Sequence, residues 1–184
     1  MGFPGSGKTT VIALLIDILT KMKKKVLVTC FTNKALDNIL IKVKKRGIKF
    51  VRISNNEKVV DPEIRSFILK KEELSSYQLA KDLITTTTVY GTTVCGINHI
   101  LFGYQNYDYC IVDEACQILE PYILGPLMLS ERFILVGDPY QVKKYLIKLN
   151  AIIKSEGNAP MSLFERLYSN HSEFGVQLYD QVIF

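Results

Sequence analysis

A parallel α/β sheet covered by helices on both faces follows from three features of this sequence. Apolar runs of strand length alternate with segments of helical length and composition. A glycine-rich stretch, Gly2-x-x-x-x-Gly7-Lys8-Thr9, leads straight into the first helical segment. Two apolar runs, "YCIV" and "RFILV", stop at Asp113-Glu114 and Gly137-Asp138, as strands do where a parallel sheet opens onto a ligand crevice.

The elements follow in order. Residues 10–22 have helical length and composition. Residues 25–31, "KVLVTCF", have the β-branched content of a buried strand. Residues 33–45 predict a helix with Ala35, Ile39, Leu40 and Val43 on one stripe. Residues 49–53 predict a short strand, and residues 61–83 are polar and helix-rich. Residues 83–88, 109–112 and 132–136 predict three further strands. Residues 87–96 read "TTVYG" then "TTVCG", a tandem duplication too short for a repeat architecture. Its expected effect is to lengthen one strand-to-loop junction.

Size and composition bound the reading. The 184 residues, 48% hydrophobic and 22% charged, suit one domain with a buried core. A net charge of +5 permits a polyanionic partner without demanding one. The longest apolar stretch, residues 11–19, is interrupted by Asp17 and is too short to span a bilayer, so no membrane partner is expected. Cys30, Cys95, Cys110 and Cys116 form no CxxC pair, and His99 and His171 are far apart, which argues against zinc. Cys30 and Cys110 sit inside strand-like runs and are expected to be buried thiols. The clusters "KMKKK" and "KVKKR" each close a predicted helix, where cations suit the C-terminal dipole; a solvated surface is the plainer reading and a nucleic-acid patch the other.

The glycine-rich stretch fits a phosphate-binding loop. Glycines let backbone N–H groups approach phosphate oxygens, Lys8 supplies a charge, and the Thr9 hydroxyl can ligate Mg²⁺. Asp113 then fits a metal carboxylate, and Glu114 a base for an attacking water. Gln141, in "GDPYQ" after the next strand, can sense a γ-phosphate.

The order "GFPGSGKTT", "VLVTCFTNKALDNILIKV", "CGINHILF", "YDYCIVDEACQILEP", "LGPL", "RFILVGDPYQ" and "SLFERL" resembles the first motor domain of superfamily 1 helicases. The likeness is to the group that includes the nonsense-mediated-decay helicase, and within it to the eukaryotic replication helicase/nucleases. It covers nearly the whole chain. It implies a RecA-like P-loop NTPase domain over residues 1–184, with ATP and Mg²⁺ as cofactors and single-stranded DNA as partner. By the resemblance, ATP would be held by Gly2, Pro4, Gly5, Ser6, Gly7, Lys8, Thr9 and Thr10, with Thr9 and Asp113 on the metal. Glu114 and Gln141 would be catalytic, and Gln117 would couple the nucleotide to the DNA side. Thr32, Asn33, Asn38, Thr92 and Thr93 become DNA candidates, with Thr87 and Thr88 as the duplicated alternative. The implied compartment is the nucleus, with the mitochondrion as the other choice.

Departures from the pattern shape further expectations. Val142-Lys143-Lys144 stands where the family has Leu-Pro-Pro, and no Gln-Tyr-Arg motif follows Leu178. The strand that should precede Gly2, the second motor domain with its arginine fingers, and the iron–sulfur cysteines of the nuclease domain are all expected to lie outside this sequence. The domain is thus expected to be truncated at both ends, without an iron–sulfur cluster, and slow in ATP turnover. Two other readings stand beside this one: a non-catalytic, degenerate or truncated nucleotide-binding product, and a related RNA helicase of the decay type.

Overall fold

The computed structural model describes residues 6–70, 76–138, 162–176 and 178. In chain order these form α1 (Lys8–Lys21), β1 (Val26–Cys30), α2 (Asn33–Lys45), β2 (Phe50–Arg52), α3 (Tyr77–Thr86), β3 (Val89–Thr93), β4 (Tyr107–Asp113), α4 (Glu120–Met128), β5 (Ser130–Leu135) and α5 (Leu163–Asn170). The strands make one sheet in the order β2-β3-β1-β4-β5, with every pairing parallel. This is the expected α/β architecture.

The strand sequences explain the two-sided core. All five residues of β1 are buried, as a central parallel strand requires. Val26, Val28 and Cys30 face the apolar stripes of α1 and α2, which include Ile12, Ile16, Leu36 and Leu40. Leu27 faces the other way, into a second core with Tyr90, Val112, Ile123 and Phe164. Cys30, Cys110 and Cys116 are buried free thiols, and Cys95 is exposed.

Helix ends follow their local chemistry. The Thr32 hydroxyl caps α2 by accepting from Ala35 N at 3.2 Å, and Lys42, Lys44 and Lys45 occupy its last turn. Thr10 and Lys42 join α1 to α2 by a 2.7 Å hydrogen bond, and Arg46 lies 3.5 Å from Asp17.

The expected strand at residues 83–88 is corrected. Leu83 to Thr86 complete α3, and the strand begins at Val89. Ser76 caps this helix, and the hydroxyls of Thr85 and Thr86 donate to the carbonyls of Lys81 and Asp82, each at 2.7 Å. Such back-bonding lets threonines sit in a helix despite their β preference. The helix-rich stretch expected over residues 61–83 is also narrower, because residues 65–67 form only a short 3₁₀ turn and α3 begins at Tyr77. The duplication does lengthen a junction: its first copy gives most of β3 and its second runs from that strand into a 3₁₀ turn at Val94–Asn98.

Residues 1–5, which carry the phosphate-loop candidates Gly2, Pro4 and Gly5, lie outside the described residues, as does Gln141. Among the described strands, β5 pairs with β4 and closes the sheet. Alongside it, α1, β5 and α5 line an apolar groove of about 710 Å³ that includes Lys8, Phe133, Phe164 and Tyr168.

One charged pair lies within the core. Arg52, 1% exposed, donates from Nε to Asp37 Oδ1 at 3.0 Å and from Nη1 to the Ile53 carbonyl at 2.6 Å. Asp37 Oδ2 accepts from Asp61 N at 2.9 Å. Burial lowers the Arg52 pKa, while Asp37 holds it up. Removing one partner strands the other charge in the core. Asp37→Ala should therefore cost about 3–5 kcal/mol in a urea unfolding series. A cost below about 1 kcal/mol would place the pair with ordinary surface bridges.

Candidate active site

Parallel register brings the candidate residues to one edge of the sheet. Cys30 pairs with both Thr93 and Asp113, so β1, β3 and β4 end level with one another. The chain then leaves β1 at Thr32-Asn33, β4 at Glu114 and β5 at Gly137-Asp138. All of these lie at the C-terminal ends of the strands, where an open α/β sheet binds ligands.

The phosphate loop enters this edge through Gly7. Its φ of 79° and ψ of 12° lie in the left-handed region, which a side chain would strain. The Gly7 carbonyl accepts from Thr10 N at 2.8 Å and Val11 N at 3.0 Å, starting α1 at once. Lys8 and Thr9 are half-buried at the first turn, and the hydroxyl of Ser6 is buried without a hydrogen-bond partner. Thr10 is exposed, and its hydroxyl is held by Lys42 instead.

Asp113 ends β4 and Glu114 follows with a φ of 54°. A left-handed glutamate is strained, and such strain gathers at functional sites. Glu114 N donates to Asp113 Oδ1 at 2.9 Å, while Glu114 Oε2 is buried and unpartnered. Burial pushes the Asp113 pKa up, and the charge of Lys8 pulls it partly back. Glu114 is pushed up by burial and then by the Asp113 charge, with Lys8 again opposing. Lys8 thus opposes the upward shift of both carboxylates.

Two loops are stitched beneath this pair. Ala115 N donates to the Val136 carbonyl at 2.9 Å, and Asp138 N donates to Cys116 Sγ at 3.3 Å. A Cβ on Gly137 would sit 2.9 Å from that sulfur, so only glycine fits there without movement. Gln117 ends the 3₁₀ turn after Glu114 and is half-buried. Sequence reasoning missed Cys116, because a cysteine two residues after an acidic pair carries no signal of its own.

The DNA candidates separate by exposure. Thr32 and Asn38 are exposed, and Asn33 and Thr93 are half-buried. Thr92 is fully buried beside Gly96 with its hydroxyl unpartnered, so it does not present a side chain to the surface. Thr87 is buried as well, and Thr88 is half-buried. Sequence reasoning also missed Arg52, although an arginine inside the apolar run "FVRIS" signals a buried partner.

The residues fit a magnesium nucleotide. The donor set is all oxygen apart from Lys8, as Mg²⁺ prefers. Two of its buried oxygens, Ser6 Oγ and Glu114 Oε2, lack protein partners. Among the described residues, no cluster of His, Cys, Asp and Glu forms an all-protein metal cage.

The raised acids predict a pH signature. A carboxyl whose pKa is higher in the folded chain holds its proton more tightly there. Its contribution to stability is full below the unfolded value of about 4 and is lost as pH rises through the folded value. Asp113→Asn should thus raise the melting temperature of the nucleotide-free chain at neutral pH, and the gain should shrink toward pH 4, near the unfolded carboxyl value. A gain independent of pH would rule out carboxylate burial as its source.

The chain is similar to several known proteins. The human DNA replication ATP-dependent helicase/nuclease DNA2 is 42% identical over 176 residues, 94% of this chain and 16% of that protein. The protein of the same name from Saccharomyces cerevisiae is 41% identical over 180 residues, covering 97% of this chain and 12% of its own. The helicase/nuclease JHS1 of Arabidopsis thaliana is 35% identical over 173 residues, 94% of this chain and 13% of that protein. The chain therefore spans 12–16% of the length of these relatives. In fold it is similar to the Sulfolobus solfataricus SWI2/SNF2 ATPase core in complex with dsDNA. The TM-score is 0.55 at 19% identity, over 98% of this chain and 40% of that one. The sheet and its covering helices are accordingly of the RecA-like α/β fold. A family model described as an AAA domain matches residues 1–82 and 69–148, running through both the phosphate loop and the acidic pair, and the chain belongs to that AAA domain family.

Proposed function

We propose that residues 1–184 are the first motor domain of a DNA replication helicase/nuclease of the DNA2 kind. In the whole protein, ATP hydrolysis would drive 5′-to-3′ movement on single-stranded DNA in the nucleus, with a second motor domain as partner. The observation that carries this reading is the meeting of Lys8, Asp113 and Glu114 at the strand ends, with buried unpartnered oxygens on Ser6 and Glu114.

Each residue then has a task. Backbone N–H groups around Gly7 and the ammonium of Lys8 hold phosphate oxygens. Thr9 and Asp113 would hold Mg²⁺, which when bound supplies neutralisation of phosphate charge. Glu114 accepts a proton from the attacking water, and its raised pKa brings it nearer the working pH of a general base. Gln117, at the end of the 3₁₀ turn that follows Glu114, would report the state of the γ-phosphate. Gln141 completes the set by resemblance. Thr32, Asn33, Asn38 and Thr93 touch phosphate and sugar, so binding is independent of sequence and weakens with salt.

Titration of the chain with labelled Mg·ATP tests the cradle. Micromolar binding should be lost in Lys8→Ala. Glu114→Gln should keep binding but lower turnover by about 10²–10⁴-fold. Binding without turnover in the unaltered chain supports a nucleotide-binding product instead, and no binding refutes the cradle.

A second titration addresses the nucleic acid. Single-stranded DNA should bind more tightly than RNA of equal length, with affinity falling steeply between 50 and 200 mM salt, on the order of the counterion-release slope. Preference for RNA would transfer the reading to the decay-type helicases.

A further inference from the structure

The buried arginine of β2 reaches past its ion pair to the start of α2. Arg52 Nη2 donates to Asn33 Oδ1 at 2.6 Å. A guanidinium has donors only, so the amide of Asn33 can meet it only through its oxygen. That contact settles which way the amide faces. Its oxygen is turned inward to Arg52, and its NH₂ group is left on the far side. Thr32 already caps the helix, so Asn33 is not needed for that purpose. The side chain therefore offers a pure hydrogen-bond donor at the strand-end edge of the sheet.

We infer that Arg52 is a positioning residue for nucleic-acid contact. It locks Asn33 so that its NH₂ group donates to a phosphate or sugar oxygen of the strand. The inference rests on the reading above that the start of α2 meets single-stranded DNA. Arg52 itself touches no nucleic acid, since it is 1% exposed and its charge is matched by Asp37. A neutral donor held by a charge-assisted bond fixes geometry without adding to the ionic attraction. It also separates Asn33 from its neighbours. The Thr32 hydroxyl is held by accepting from Ala35 N, and Asn38 is exposed on the helix.

The test compares Asn33→Asp, Asn33→Ala, Arg52→Lys and the Arg52→Lys/Asn33→Ala double variant in the full chain. Each is titrated with fluorescent oligo(dT), with Mg·ATP affinity and melting temperature measured alongside. Asn33→Asp keeps the acceptor for Arg52 but has no donor, so its melting temperature should hold or rise while oligo(dT) affinity falls. Asn33→Ala and Arg52→Lys should each lose about tenfold, the scale of one hydrogen bond to a charged group, with Mg·ATP affinity within about twofold of the original. The double variant should lose no more than either single one, because both changes remove the same contact. The salt slope of Asn33→Ala should match that of the unaltered chain, since a neutral amide releases no counterion. If Asn33→Asp binds oligo(dT) normally, or the two single losses multiply in the double variant, the positioning role is overturned while DNA binding stands. If the unaltered chain does not bind oligo(dT), the DNA reading falls, and this inference falls with it.

Discussion

Strand β1 is hydrogen-bonded to β3 on one side and β4 on the other, and this double pairing sets the position of every candidate group. Its five residues are buried on both faces, so the register cannot slip by one without turning Val26, Val28 and Cys30 out of one core and Leu27 out of the other. With the register fixed, Thr93 and Asp113 both fall opposite Cys30. The phosphate-loop helix and α2 pack on the face that carries Val26 and Val28, which brings their N-termini to the same edge. The candidate site is thus a consequence of backbone pairing, which carries Thr93 and Asp113 to one edge.

Those side chains also carry a cost in the nucleotide-free molecule. Asp113 and Glu114 adjoin one another with limited access to water, Glu114 is held in a left-handed conformation, and two oxygens have no partner. Each feature opposes folding, and the apolar core on both faces of the sheet offsets them. Natural sites commonly trade stability for readiness in this way. The loop below the acids is built more firmly. Cys116, Gly137 and Asp138 pack and hydrogen-bond against one another, so the chain after β4 cannot shift without moving the chain after β5.

Local chemistry was the legible part of the sequence. The span of α2 could be read from an apolar stripe and a lysine-rich end, contiguous in the chain. The phosphate loop and the acidic pair were legible because their residue types are dictated by the ligand. The four threonines at 85–88 were misread because β propensity describes packing on a sheet, whereas Thr85 and Thr86 found carbonyls one turn back. The burial of Thr92 depended on how far β3 extends, which a duplicated pentapeptide leaves open. The Arg52–Asp37–Asn33 network was hidden for a different reason. Its partners are 15 and 19 residues apart, and only the fold makes them neighbours.

The link between Thr10 and Lys42 has a mechanical consequence. It ties the first turn of α1, beside the phosphate loop, to Lys42 in the last turn of α2. A second tie, Asp17 to Arg46, lies further along both helices, so the two move as one stiff body. Asn33 stands nine residues ahead of Lys42, roughly 14 Å along the helix axis. The intervening part of α2 buries Leu36, Ile39 and Leu40 and holds Asp37 and Asn33 to Arg52, so it is anchored to the sheet along its length. A displacement of α1 would therefore reach Asn33 only by shifting α2 as a whole together with the buried Arg52 network.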